Sequence, residues 1–90
     1  MDYELDEQVA LAIANADFNG APITYATGPM ADRRVAVAFR EHGVLAPKDK
    51  LCASINRLSA CGAIARTPTG ANIAGAGTCG VKLYPVVQLA

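Results

Sequence analysis

The sequence has no tryptophan and only a few aromatic side chains, three tyrosines and two phenylalanines. Hydrophobic residues still make up 52% of the chain, and many of them are alanine. This fraction is too high for a disordered chain, yet the small side chains predict a modest core. We expect one domain over residues 1–90, because a chain of this length has no room for a second, catalytic domain.

An excess of basic residues is also missing. Eight lysines and arginines balance eight acidic residues, so the net charge is zero. DNA-binding domains are commonly basic, and the charge therefore argues against nucleic acid as a partner. No apolar run approaches the roughly 18 residues of a membrane span, and the start has no signal-peptide pattern. We expect a cytoplasmic protein with no membrane partner.

Residues for metal, cofactor or catalytic chemistry are few. His42 is the single histidine, and Cys52, Cys61 and Cys79 are too far apart in sequence for a zinc-binding pair. Free thiols and no metal are therefore predicted. The segment 75–80 fits the pattern G-x-G-x-x-G, but strand-like residues follow it where a dinucleotide site needs a helix. We expect no cofactor and no enzyme activity.

The clearest pattern that is present predicts a helix over residues 47–60. Leu51, Ile55 and Leu58 recur at the spacing of one buried helix face. Pro47 suits the first helical position, and Gly62 suits the left-handed residue that ends a helix.

Two further helices are predicted before it. A first helix over residues 3–16 has an acidic start and an apolar side formed by Leu5, Val9, Ala12, Ile13 and Ala16. Turn-forming residues follow it, and Phe18 among them is expected to anchor the turn by packing. A second helix over residues 31–42 places Val35, Ala38, Phe39 and His42 on one face.

The remaining segments favour strands. Ile23 and Tyr25 lie in a short β-prone run, for which an irregular loop is the alternative. A hairpin is predicted over residues 63–86, with a glycine-rich connection and a second strand that begins near Val81.

This order of elements resembles the winged helix-turn-helix superfamily. The resemblance runs from Asp32 to Val86 and rests on the Gly43-Val44 turn, the pattern Ile55-x-x-Leu58-x-x-x-Gly62-x-Ile64, and the hairpin that follows. It implies a small α+β domain with three helices and a C-terminal β-hairpin wing. The function implied is transcriptional regulation by binding double-stranded DNA, in a bacterium or phage, with the third helix in the major groove.

The resemblance also implies roles for individual residues. The expected phosphate contacts are Arg33, Arg34, Lys48, Lys50 and Arg66, and the expected base contacts are Ser54, Asn56 and Arg57. The wing itself has no basic residue between Arg66 and Lys82, so these two are its only charged candidates. A homodimer would use the first helix or the C-terminal strand.

An alternative function is a winged-helix module for protein–protein interaction, such as a small phage or accessory protein that binds and modulates a host protein complex. The zero net charge, the uncharged wing, the acidic first turn and the alanines on the third helix favour this alternative. The basic residues of the second and third helices also have a structural explanation, because an ordinary solvated helix face carries similar residues.

Overall fold

The domain combines helices with an antiparallel sheet, which confirms the predicted α+β class. The computed structural model describes residues 3–26, 34–68 and 80–86. In chain order the elements are α1 (Tyr3–Phe18), β1 (Thr24–Ala26), α2 (Arg34–Arg40), α3 (Lys48–Ala60), β2 (Ile64–Pro68) and β3 (Gly80–Pro85).

The helix bounds differ from the predicted ones at several ends. α3 begins at Lys48, because Pro47 has φ −69° and ψ 156° and is the extended N-cap residue, not the first helical one. α1 continues to Phe18, past the predicted end at residue 16. α2 ends at Arg40, before the predicted residue 42, and residues 31–33 lie outside the described part of the chain.

A glycine in the left-handed conformation ends α3. Gly62 has φ +82°, and its N–H donates to the Ser59 carbonyl oxygen at 3.2 Å. The next N–H, of Ala63, donates to the Leu58 carbonyl oxygen at 2.9 Å. This pair of bonds is a Schellman motif, which satisfies carbonyls that the helix leaves unpaired. The same two hydrogen bonds end α2, where the N–H groups of Gly43 and Val44 donate to the carbonyl oxygens of Arg40 and Phe39 and Gly43 has φ +80°. Left-handed glycines therefore determine the chain direction both before and after α3.

β3 is the central strand of the sheet, whose order is β1-β3-β2. It runs antiparallel to both neighbours, and Lys82 lies opposite Thr24 on one side and Thr67 on the other. The predicted strand before α2 is confirmed over Thr24–Ala26, and β2 and β3 form the predicted hairpin. The connection between them, residues 69–79, lies outside the described residues.

The core lies between the helices and one face of the sheet. Its fully buried side chains come from four elements and include Val9, Ile13, Phe39, Leu51, Ile55 and Leu83. The predicted inner faces of α1 and α3 are therefore confirmed. His42 is exposed and lies past the end of α2, so it does not continue the helix face that Val35 and Phe39 form.

Phe18 does not pack as an anchor, because 89% of its surface is exposed. α1 continues through the position where a turn was expected, and each helical residue rotates the side chain by about 100°. Phe18 follows the buried Ala16 by two positions, so it points away from the core.

Within residues 3–26, 34–68 and 80–86, no helix combines the length and the apolar character that crossing a membrane requires.

Candidate functional site

α3 presents one side to the core and the other to solvent. Its buried residues are Leu51, Ser54, Ile55 and Leu58. On the opposite side lie Asp49, Lys50, Ala53, Asn56, Arg57 and Ala60, which we call the outward face. All of these except the half-buried Ala53 are exposed. The outward face is the part of α3 that a large ligand can reach.

Arg57 stands at the edge of the outward face that is nearer to α1. Its Nε donates to Asp6 Oδ2 at 2.9 Å and its Nη2 donates to Asp6 Oδ1 at 2.8 Å. Two parallel bonds between a guanidinium and a carboxylate are the stronger, geometrically specific form of this ion pair. The Arg57 side chain is 40% exposed and that of Asp6 is 19% exposed, so solvent screens the pair in part.

Asp6 also accepts a hydrogen bond from the Ser54 hydroxyl, with 2.6 Å between Ser54 Oγ and Asp6 Oδ1. The hydrogen bonds from Arg57 lower the pKa of Asp6 below its ordinary value of 3.8; burial acts in the opposite direction, and Ser54 and the charge of Arg57 lower it further. Asp6 is therefore ionised at neutral pH and joins α1 to α3.

Ser54 lies on the buried side of α3, so it is not accessible for the base contact that was predicted for it. It is 0% exposed, and its hydroxyl donates to Asp6. Ser54 follows Leu51 by three positions and precedes Leu58 by four, which is the spacing of the buried face itself. The prediction placed this residue beside the outward face, whereas the helix turns it inward.

Asn56 and Arg66 meet at the other edge of the outward face, nearer to the sheet. Arg66 Nη1 donates to Asn56 Oδ1 at 2.9 Å, and both side chains are exposed. Arg66 belongs to β2, where it lies opposite Leu83. The structure therefore joins one predicted base contact to one predicted phosphate contact on an accessible surface.

The other predicted contacts are more scattered. Lys48 is half-buried and Lys50 exposed, both in the first turn of α3, and Arg34 is exposed at the start of α2. Lys82 is half-buried in the central strand. Arg33 lies outside the described residues.

Asp6 is a residue that the sequence prediction missed. It was assigned only to the acidic start of α1, as a charge that complements the helix dipole. Yet Asp6 precedes Val9 by three positions and Ile13 by seven, which places it on the side of α1 that faces the core. An acidic residue at such a position indicates a partner across the helix interface.

α1 carries a second apolar surface, opposite to its core side. Tyr3, Leu11 and Phe18 are 68%, 62% and 89% exposed, and with Ala14 they lie on one side of the helix by the rotation of about 100° per residue. We call these four residues the α1 patch. Leu45, 78% exposed in the turn before α3, lines a shallow groove together with Glu4, Leu5 and Gln8 of α1.

The cysteines that the structure describes are free thiols, Cys52 half-buried and Cys61 exposed; Cys79 lies outside that part of the chain. Within the described ranges, His, Cys, Asp and Glu side chains form no group of three or more that could hold a metal ion.

Comparisons with protein-family models, with curated proteins and with solved structures each find no match.

Proposed function

We propose that this chain is a winged helix-turn-helix domain that binds double-stranded DNA through the outward face of α3. The fold assignment is supported by the element order: a short strand lies between α1 and α2, a turn ended by Gly43 separates α2 from α3, and a hairpin follows α3 directly. The domain would act as a small transcriptional regulator of bacterial or phage origin.

The observation that carries the DNA-binding proposal is the exposed pair of Arg66 and Asn56. An asparagine amide matches the major-groove edge of adenine, and a guanidinium matches guanine or a phosphate. The bond between them holds both side chains in one orientation, which lowers the entropy lost when a ligand orders them. Arg66 also joins α3 to the base of the hairpin, so both elements would approach the same stretch of duplex.

The test is binding to a labelled random-sequence duplex, measured by fluorescence anisotropy at low and at physiological salt. We expect affinity that falls steeply with salt, because phosphate contacts release counterions. Arg66→Ala should weaken binding by about tenfold, as loss of a nucleic-acid contact commonly does.

Arg40→Ala is the matched control. It removes the same charge from an exposed position at the end of α2, away from the outward face. The proposal fails if the wild-type domain does not bind at low salt, or if Arg40→Ala and Arg66→Ala weaken binding equally.

A second candidate function, protein–protein interaction, is favoured by the α1 patch. The exposed carboxylates of Glu4 and Glu7 lie on the N-terminal half of α1, beside the exposed Leu11. An apolar strip bordered by negative charge is complementary to an amphipathic helix whose apolar face is bordered by lysine or arginine. Such a helix, presented by a host protein complex, is the partner that this surface fits.

Two synthetic helical peptides of equal length test this candidate, one built from leucine and lysine and the other from leucine and glutamate. We expect the lysine peptide alone to bind, and a Leu11→Gln/Phe18→Gln variant to lose that binding while it stays folded. Equal binding of both peptides, or unchanged binding by the variant, would reject the α1 patch as the docking site.

A further inference from the structure

The ion pair between Asp6 and Arg57 bears directly on how the outward face would be used. Arg57 is exposed on that face, at the position where a guanidinium would meet a base edge or a phosphate. Two of its nitrogens, Nε and Nη2, already donate to the Asp6 carboxylate. A nucleic acid that binds Nε and Nη2 of Arg57 must therefore displace the Asp6 carboxylate, which already accepts hydrogen bonds from both nitrogens.

The Asp6 carboxylate is held in position by a hydrogen bond from Ser54 and by the packing of α1. Ser54 is completely buried, and its hydroxyl donates to Asp6 Oδ1 at 2.6 Å. Asp6 itself lies on α1, whose neighbouring residues Val9 and Ile13 are fixed in the core. Since Asp6 cannot follow Arg57 toward a ligand, contact of Arg57 with DNA and contact of Arg57 with Asp6 compete.

We propose that Asp6 is an autoinhibitory residue that holds Arg57 away from DNA, so that the α1 side of the outward face contributes little to binding until the carboxylate is displaced. This inference rests on the proposed DNA-binding function. Two physical effects act together. Asp6 occupies the Nε and Nη2 donors of Arg57, and its negative charge both neutralises the guanidinium and repels an approaching phosphate.

Asp6→Asn tests the proposal with little change in shape. Asparagine keeps an oxygen that can accept the Ser54 hydroxyl, but it loses the charge that holds the guanidinium. We expect the affinity for a random-sequence duplex at low salt to rise by about five- to tenfold. We also expect the slope of log affinity against log salt to steepen by about one, because one more phosphate contact forms.

Glu7→Gln is the matched charge control. It makes the same change in net charge at the next residue, which is exposed on α1. The bonds from Ser54 and Arg57 go to Asp6 and not to Glu7. The double variant Asp6→Asn/Arg57→Ala then shows whether the gain passes through Arg57, since a gain that depends on this contact must disappear when the guanidinium is removed.

The wild-type domain provides a measurement that does not depend on any variant being folded. When the wild-type domain is saturated with duplex at low salt, the ¹³C resonance of the Asp6 carboxylate and the Nε–H resonance of Arg57 should stay near their positions in the free protein, because Asp6 keeps its bonds to Arg57. Large shifts of both resonances in the saturated complex would overturn the proposal, since they would show that Asp6 does not hold Arg57 away from DNA.

Other outcomes separate the two proposals. If the wild type binds DNA and Asp6→Asn binds equally or more weakly, Asp6 does not restrain Arg57 and the inference fails alone. It also fails alone if Glu7→Gln gives the same gain, or if the gain persists without Arg57. If neither the wild type nor Asp6→Asn binds at low salt, DNA binding itself is rejected, and the inference with it.

Discussion

At the scale of single residues, Asp6 links two helices through one carboxylate. Its oxygens accept hydrogen bonds from a buried hydroxyl and from a half-exposed guanidinium, both on α3. Because Ser54 is completely buried, loss of its acceptor would leave a polar group without compensation for its burial. The network therefore stabilises the contact between α1 and α3, in addition to any effect on a ligand.

The stabilisation should depend on pH. In the folded protein the pKa of Asp6 lies below its ordinary value of 3.8, mainly because Arg57 donates to the ionised form. The ion pair therefore contributes fully to stability above the unfolded-state pKa, and the contribution is lost as the pH falls through the lower, folded-state pKa.

We expect Asp6→Asn to lower the free energy of unfolding at neutral pH by about 1 kcal/mol, a small value because solvent screens Arg57. The difference from wild type should shrink as the pH falls below 3.8 and through the lowered, folded-state pKa of Asp6. Urea unfolding of both proteins at neutral pH and at a series of acidic pH values measures this. A difference that does not shrink as the solution is acidified would contradict the assignment.

At the scale of secondary-structure elements, the glycine ends determine how α3 is placed. Gly43 has φ +80° between α2 and α3, and a Cβ built there would meet no atom within 4 Å. Any cost of a side chain at this position therefore comes from the backbone conformation and not from a clash.

Gly43→Ala should destabilise the domain by about 1 kcal/mol, because alanine is strained in the left-handed region. Gly43→Asn should cost less, since asparagine adopts this conformation more readily. Thermal or urea unfolding of the two variants gives the comparison. If alanine and asparagine destabilised equally, the backbone explanation would be wrong.

α1 is apolar on two sides, but only one of them supports the fold. Ile13 is 0% exposed, whereas Leu11 is 62% exposed. Ile13→Ala should lower the free energy of unfolding by roughly 2–4 kcal/mol through lost burial and a cavity. Leu11→Ala should change it by less than about 0.5 kcal/mol, as surface substitutions usually do. Urea unfolding of both variants is the measurement, and a large loss for Leu11→Ala would show that the α1 patch is covered within the domain.

The local elements were predictable from the sequence because periodicity and end signals determine them. Leu51, Ile55 and Leu58 gave the buried face of α3, and Gly62 gave its end. Ser54 follows the same periodicity, and its burial could have been predicted by applying that spacing strictly. The exposure of Phe18 was not predicted, because the turn-forming residues Asp17, Asn19 and Gly20 indicated a helix end at residue 16, whereas α1 continues through Phe18.

The candidate site was less predictable than the elements. Asn56 and Arg57 were both identified on α3, but their partners lie elsewhere in the chain. Arg66 is on a strand, and Asp6 precedes Arg57 by 51 positions. No local pattern specifies which carboxylate meets which guanidinium across a helix interface, because the contact depends on how the whole domain packs.

At the scale of the whole molecule, the charges of residues 3–26, 34–68 and 80–86 do not form one basic surface. The net charge is zero, and on the outward face Asp49 lies among the basic residues while Arg57 is paired with Asp6. Such a charge distribution is expected to attract DNA only weakly at long range. Most of the affinity would then come from close contacts at the edge formed by Asn56 and Arg66. The α1 patch lies on a different element from the outward face of α3.

The most direct test of the central claim is a titration of the ¹⁵N-labelled domain with a random-sequence duplex, followed by amide and side-chain chemical shifts at low salt. DNA binding by α3 predicts that the largest changes fall on the outward face of α3 and on Arg66 and Thr67 of β2, while Leu11 and Phe18 on α1 stay unchanged. Shifts confined to the α1 patch, or no shifts at all, would contradict DNA binding by α3.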